Sequence, residues 1–224
     1  MRMAAPRREF RSHPSTARGL LYPTMLLVLF GVFWLALAVE PRYRQDWLLE
    51  NALVFALVPL LAFTVRKFRF SNTSYTLLFV FLCLHEIGAH YTYAEVPYDE
   101  AFRALTGQSL DAWFDFRRNH YDRLVHFLSG LLLLPVVAEL LRARTVMRGV
   151  WAAVLPVAFI LAQSALFELI EWAAAVVFGG DLGQAYLGTQ GDEWDAQSDM
   201  ALALLGALIA QGLCGACARY RRRV

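Results

Sequence analysis

Six stretches of the 224-residue chain are nearly continuous in apolar residues: 20–39, 47–65, 75–91, 121–141, 150–178 and 197–217. Each reaches or exceeds the lower end of the range of about 17–25 residues that carries an α-helix across a bilayer. None shows the strict two-residue alternation of a half-buried strand. The pattern predicts an all-α, polytopic membrane bundle of about six transmembrane helices, forming one membrane domain over 1–224. An even number of spans puts both termini on the same side.

Composition supports a lipid-facing exterior. Hydrophobic residues make up 58% of the chain and the mean hydropathy is +0.43, more apolar surface than a soluble domain of this length hides from water. The formal net charge of +2 is too small to indicate a nucleic-acid partner, and the basic residues fall in short runs beside the apolar blocks.

Those runs set the orientation. Arg2, Arg7, Arg8, Arg11 and Arg18 precede the first span, in a basic N-terminal segment 1–19. Arg66, Lys67 and Arg69, then Arg142, Arg144 and Arg148, and finally Arg219, Arg221, Arg222 and Arg223 lie on the same side in a six-span topology. That side holds fifteen of the 21 basic residues, so the positive-inside rule places it, with both termini, in the cytoplasm. The first span is expected to be retained rather than cleaved, because Glu40-Pro41-Arg42 is not a small-residue cleavage site.

The three cysteines, Cys83, Cys214 and Cys217, all lie in apolar segments and form no disulfide framework. Cys214 and Cys217 spell CxxC without further ligands nearby, and small residues at a helix contact account for the pair. The longest connection, 92–120, is expected outside. It interleaves Tyr93, Tyr98, Phe102, Trp113, Phe114 and Phe116 with charges, as suits an amphipathic segment at the interface that covers a site beneath it.

The informative residues are the ionisable ones inside the spans, where each charge costs at least about 2.5 kcal/mol on insertion scales. The third span carries His85, Glu86 and His90, and the fourth opens with Asp122 and His126. The fifth contains Glu168 and Glu171, and the sixth is led in by Asp192, Asp195 and Asp199. Glu86 with His90 and Asp122 with His126 are four apart, Glu168 and Glu171 three apart, and the aspartates follow a three-then-four step, so each set shares one helical face. In the six-span topology all four sets meet in the outer half of the membrane.

The strings HEIGAHYTY, YDRLVHFLSG, FELIEW and GDEWDAQSDM resemble the YjdF family of bacterial inner-membrane proteins, from the second span to the sixth. The spacing of Asp122, His126 and Phe127, a later Glu168 or Glu171, and then Asp195 and Asp199 is also similar to the VanZ-like family. The resemblance implies a multi-pass protein of the bacterial inner membrane and supplies no reaction.

Structural roles exist for single members of the cluster: headgroup hydration for His85, Glu86 and His90, and the helix dipole for Asp122. Glu168 and Glu171 differ, because two carboxylates one turn apart inside a span repel unless protonated, paired or bound to a cation. Histidine and carboxylate together are ligands for zinc, manganese or iron. The expectation is a divalent metal held by His85, His90, His126 and Asp195 or Asp199, with Glu168 or Glu171 as general base and Asp122 orienting a histidine. Glu86 and Asp192 complete the cluster.

Such a site suits a metal-dependent hydrolase that meets membrane lipids or a lipid-linked envelope substrate at the outer leaflet. Two other classes remain open. One is a proton- or cation-coupled transporter, although the ionisable set stops in the outer half and no internal repeat is evident. The other is a non-catalytic protein that binds an envelope ligand.

Overall fold

The computed structural model describes residues 17–180, 183 and 187–220. Residues 1–16 and Arg221, Arg222 and Arg223, which enter the charge count, lie outside the described residues, as do the side chains of Arg18 and Arg219. Among the described residues the chain is helical, without strands. The helices are α1 (Ala17–Leu37), α2 (Arg44–Thr64), α3 (Asn72–Tyr91), α4 (Tyr98–Thr106), α5 (Leu110–Phe114), α6 (Tyr121–Arg144), α7 (Trp151–Phe178) and α8 (Asp195–Tyr220).

Five of these, α1, α2, α6, α7 and α8, are long and apolar enough to cross a membrane. Helix α3 has 20 residues, about 30 Å at 1.5 Å per residue, so it matches them in length. Its C-terminal turns hold His85, Glu86 and His90, which lower its apolarity. The expected count of six spans therefore rests on α3. Several helices begin two or three residues before the apolar block, at Arg44, Asn72 and Asp195, because polar first turns are helical too.

Helix α3 packs against α1, α2 and α6, while α6 packs against α3, α7 and α8. The closest approach is α6 on α8. A Cβ added at Gly130 would overlap the carbonyl of Ala203, and one at Gly206 would overlap the carbonyl of Phe127. Reciprocal glycines, with Ala203, Ala207 and Ala210 buried beside Leu134, Val137 and Ile160, let the two backbones nearly touch. Outward-facing Leu21, Val32, Phe63, Leu169 and Val177 are exposed. In water such a surface would aggregate, and in lipid it is solvated. Pro23, Pro59, Pro135 and Pro156 sit inside four of the long helices, as lipid-embedded helices with neighbours tolerate.

The turns at one end are tied together by polar groups. Arg42 N–H donates to the His90 carbonyl (2.8 Å), and the Arg42 side chain pairs with Glu95 (2.7 Å). The Asn119 backbone N–H donates to Gln190 Oε1 (2.9 Å), whose Nε2 returns a bond to the Asn119 carbonyl (3.0 Å). The 92–120 connection forms the short helices α4 and α5. Asp99 accepts from Ser109 Oγ, from the Asp111 N–H and from Arg103, while Leu105, Trp113 and Phe114 remain exposed. At the opposite end Glu139 accepts from the Ser71 N–H (2.6 Å) and from Ser74 Oγ (2.5 Å), tying α6 to the start of α3.

Candidate metal centre and its acidic surroundings

Helix α6 places Asp122 in its first turn and His126 one turn further, and α8 places Asp199 one turn after its first residue. The tight α6–α8 crossing brings them together. One ligand atom from each of Asp122, His126 and Asp199 lies within 4.8 Å of the others, and all three residues are buried. Asp199 is 1% exposed and its Oδ1 has no hydrogen-bond partner among the described residues.

The imidazole of His126 is oriented from two sides. Nδ1 lies 3.3 Å from Ser164 Oγ on α7. Nε2 faces Asp122 Oδ1 at 3.6 Å and Glu168 Oε1 at 3.3 Å. If Nδ1–H donates to the serine, the Nε2 lone pair is left free for a cation. One imidazole with two or three carboxylates is a donor set for manganese, iron or zinc. Glu171 is buried one turn beyond Glu168.

The expected residues divide among three places. Asp122, His126, Glu168 and Asp199 converge, with Asp122 beside the His126 ring and within 4.8 Å of the other candidate ligand atoms. His85 lines the same small cavity from the opposite wall, but its nitrogens are engaged by Tyr93 Oη (2.5 Å) and the Glu50 carbonyl (3.1 Å). His90 Nδ1 lies 2.8 Å from the Leu37 carbonyl, which turns it toward α1. Asp195 pairs with Arg118 (2.7 Å) and Arg123 (3.4 Å), and Asp192 with the same two arginines. Asp195, expected among the ligands, and Asp192, expected in the wider cluster, thus share an arginine-paired network. The four sets do not share one cavity.

That cavity, about 20 Å³, lies among His85, Tyr93, Asp122, His126, Ser129 and Gln163, enough for one water. Behind it is a cluster the residue pattern did not single out: Asp46, Glu50 and Asn51 on α2 beside Glu86 on α3. All four are buried, and Glu86 is fully so. Both oxygens of Asp46, both of Glu86 and Glu50 Oε2 lack hydrogen-bond partners among the described residues. The four-residue spacing of Asp46 and Glu50 carries the same signal as Asp122 and His126, but it sits at the start of a span, where charges are common.

The loops at this end of the bundle have their own electrostatics. The Trp194 N–H (3.0 Å) and the paired arginines hold the Asp192 carboxyl below the usual aspartate range. Partial burial, with Arg123 and Arg118 nearby, pushes His120 below its ordinary value and favours the neutral ring. Gly188 covers Asp122 from above: a Cβ there would stand 4.0 Å from Asp122 Oδ2, and Arg118 Nη2 donates to the Gly188 carbonyl (3.4 Å).

Long apolar helices, polar turns at their ends and buried carboxylates between them define a polytopic helical membrane protein. Within that class, the chain belongs to the family described as "Predicted membrane protein (DUF2238)", whose family model matches residues 22–221. It is 42% identical over 186 residues to the inner membrane protein YjdF of Escherichia coli (strain K12), covering 83% of this chain and 81% of that relative. The match concerns the YjdF resemblance and does not extend to the VanZ-like one. No solved structure matches the chain. It is a multi-pass inner-membrane protein.

Proposed function

We propose that Asp122, His126 and Asp199 bind a divalent metal ion, and that the protein is a metal-dependent hydrolase acting on a lipid or lipid-linked envelope substrate at the outer leaflet. The observation that carries this reading is the convergence of three buried ligand atoms within 4.8 Å from two helices. A bound divalent cation would polarise the substrate and lower the pKa of water. Glu168, 3.3 Å from His126 Nε2, is positioned to accept a proton, and Ser164 fixes the ring that faces it.

The reading takes α3 as a sixth span and both termini as cytoplasmic, which the distribution of basic residues favours. The cluster then opens toward the outer leaflet. The row of acids on α2 and α3 favours a second reading, a proton or cation relay. Against it, the inward halves of α3, α6, α7 and α8 are occupied by the apolar groups around Leu78, Leu134, Val137, Ile160 and Ala207.

Elemental analysis of the purified full-length protein tests the proposal. About one divalent ion per chain is expected, lost in His126→Ala and in Asp199→Asn and retained in Glu168→Gln. A folded, metal-free protein that takes up no manganese, iron or zinc on titration removes the hydrolase reading.

A further inference from the structure

Arg123 belongs to two features at once. It lines a groove of about 360 Å³ on the face of α6 that looks away from the metal cluster, with Phe114, Phe116, Leu124, Phe127 and Leu202 as its apolar walls. Its Nη2 also contacts Asp192 Oδ2, closing the network above Asp122. The groove is within the volume range of ligand sites, and its walls come from the interfacial segment 110–116 and from α6 and α8. Phe114 is more than half exposed and Leu124 nearly half. The lining is almost wholly apolar, and Arg123 stands at its edge with its guanidinium turned to Asp192.

The network above is balanced: Arg118 and Arg123 face Asp192 and Asp195. The two acids are unequal. The Asp195 side chain is 5% exposed and held at 2.7 Å by Arg118, whereas that of Asp192 is 31% exposed. A phosphate presents the same acceptor geometry to two guanidinium forks as the Asp192 carboxylate does. Exchanging Asp192 for a phosphate would release the loop that Arg118 and Arg123 hold, and with it Gly188 above Asp122.

We propose that the groove and the Arg118–Arg123 pair form the binding site of an anionic phospholipid, with an acyl chain along Phe114, Leu124 and Phe127 and the phosphate in the place Asp192 now takes. Asp192 is then an internal stand-in for the headgroup, and its displacement uncovers the buried cluster. That this lipid is the substrate rests on the hydrolase reading above. That it binds does not.

The test is native mass spectrometry of the full-length protein titrated with phosphatidylglycerol or phosphatidylcholine. The wild type is expected to retain phosphatidylglycerol at least about tenfold better, and millimolar inorganic phosphate is expected not to displace it. Arg123→Gln should remove the preference, and Leu124→Trp should reduce retention of both lipids. The discriminating variant is Asp192→Asn, which should raise phosphatidylglycerol retention severalfold, because the competing carboxylate is gone. Equal retention of the two lipids, displacement by free phosphate, or unchanged or weaker binding in Asp192→Asn would overturn the proposal. Metal content measured on the same samples separates the two readings: a metal-free protein that shows the Asp192→Asn gain keeps the lipid site and loses the hydrolase.

Discussion

Ser164 Oγ lies 3.3 Å from His126 Nδ1, one turn of α7 inward from Glu168, whose carboxylate faces the other nitrogen of the same ring. One helix thus addresses both sides of the imidazole. A serine buried in a membrane helix usually satisfies itself on its own backbone. This one is spent on a ring nitrogen of the neighbouring helix, which leaves Nε2 as the nitrogen that would meet a bound ion. Ser164→Ala is expected to weaken metal binding about 10–100-fold, the usual cost of losing such a partner, without changing the fold. Competition against a chelator of known affinity measures it, and unchanged affinity would reduce Ser164 to packing.

The α6–α8 crossing makes a second, structural prediction. The Cβ of any residue at Gly206 meets the Phe127 carbonyl, which is backbone and cannot swing aside. Gly206→Leu must push the helices apart, so its cost lies at or above the upper end of the roughly 1–3 kcal/mol of ordinary overpacking. Because Asp199 and His126 sit on these two helices, thermal unfolding in detergent and metal content should fall together. A lowered melting temperature with full metal content would show that the cluster does not depend on this contact.

Asp192 sets a pH dependence for the outer lid. Its carboxyl is held below the ordinary aspartate value by the Trp194 N–H and by Arg123 and Arg118. A group lowered in the folded state contributes stability that is fully present above its ordinary pKa and is lost as pH falls through the lowered value. The protection factors of the amides over 188–194, with exchange corrected for its intrinsic pH dependence, should therefore be unchanged from pH 7 to 5 and fall only in the acid range, below the usual aspartate pKa. In Asp192→Asn the loop should exchange faster at neutral pH and show no such acid step.

The apolar blocks announced the helices, and the cost of charge in lipid singled out the residues between them. What one-dimensional spacing does not carry is the direction in which each face points. Glu86 and His90 share a face, as their spacing says, but α3 is wedged between α1, α2 and α6, and that face turns to α1 and α2. Asp122 and His126 share a face that meets α8, because Gly130 and Gly206 draw those helices together. The aspartates around the start of α8 divide for another reason: Asp199 lies inside the bundle, while Asp192 and Asp195 are within reach of Arg118 and Arg123. Asp46 and Glu50 had the right spacing, and only their burial marks them as unusual.

The burial of Glu86 gives the last prediction its sign. Its carboxylate is fully buried, with the Trp47 and Asn51 side chains beside it but neither oxygen in good hydrogen-bond geometry with a partner among the described residues. A charged, unpaired carboxylate there is destabilising, since desolvation is not repaid, whereas a neutral isostere keeps the shape without that cost. Glu86→Gln is therefore expected to leave the melting temperature in detergent unchanged or raise it, and to leave metal binding at Asp122, His126 and Asp199 intact. The same substitution at Asp199, whose charge would face an ion, should lower both. If Glu86→Gln instead lowers the melting temperature, and added cations stabilise only the wild type, the acids of α2 and α3 hold a cation of their own, and the row from Asp46 to Glu86 is a second binding site rather than a set of neutral acids.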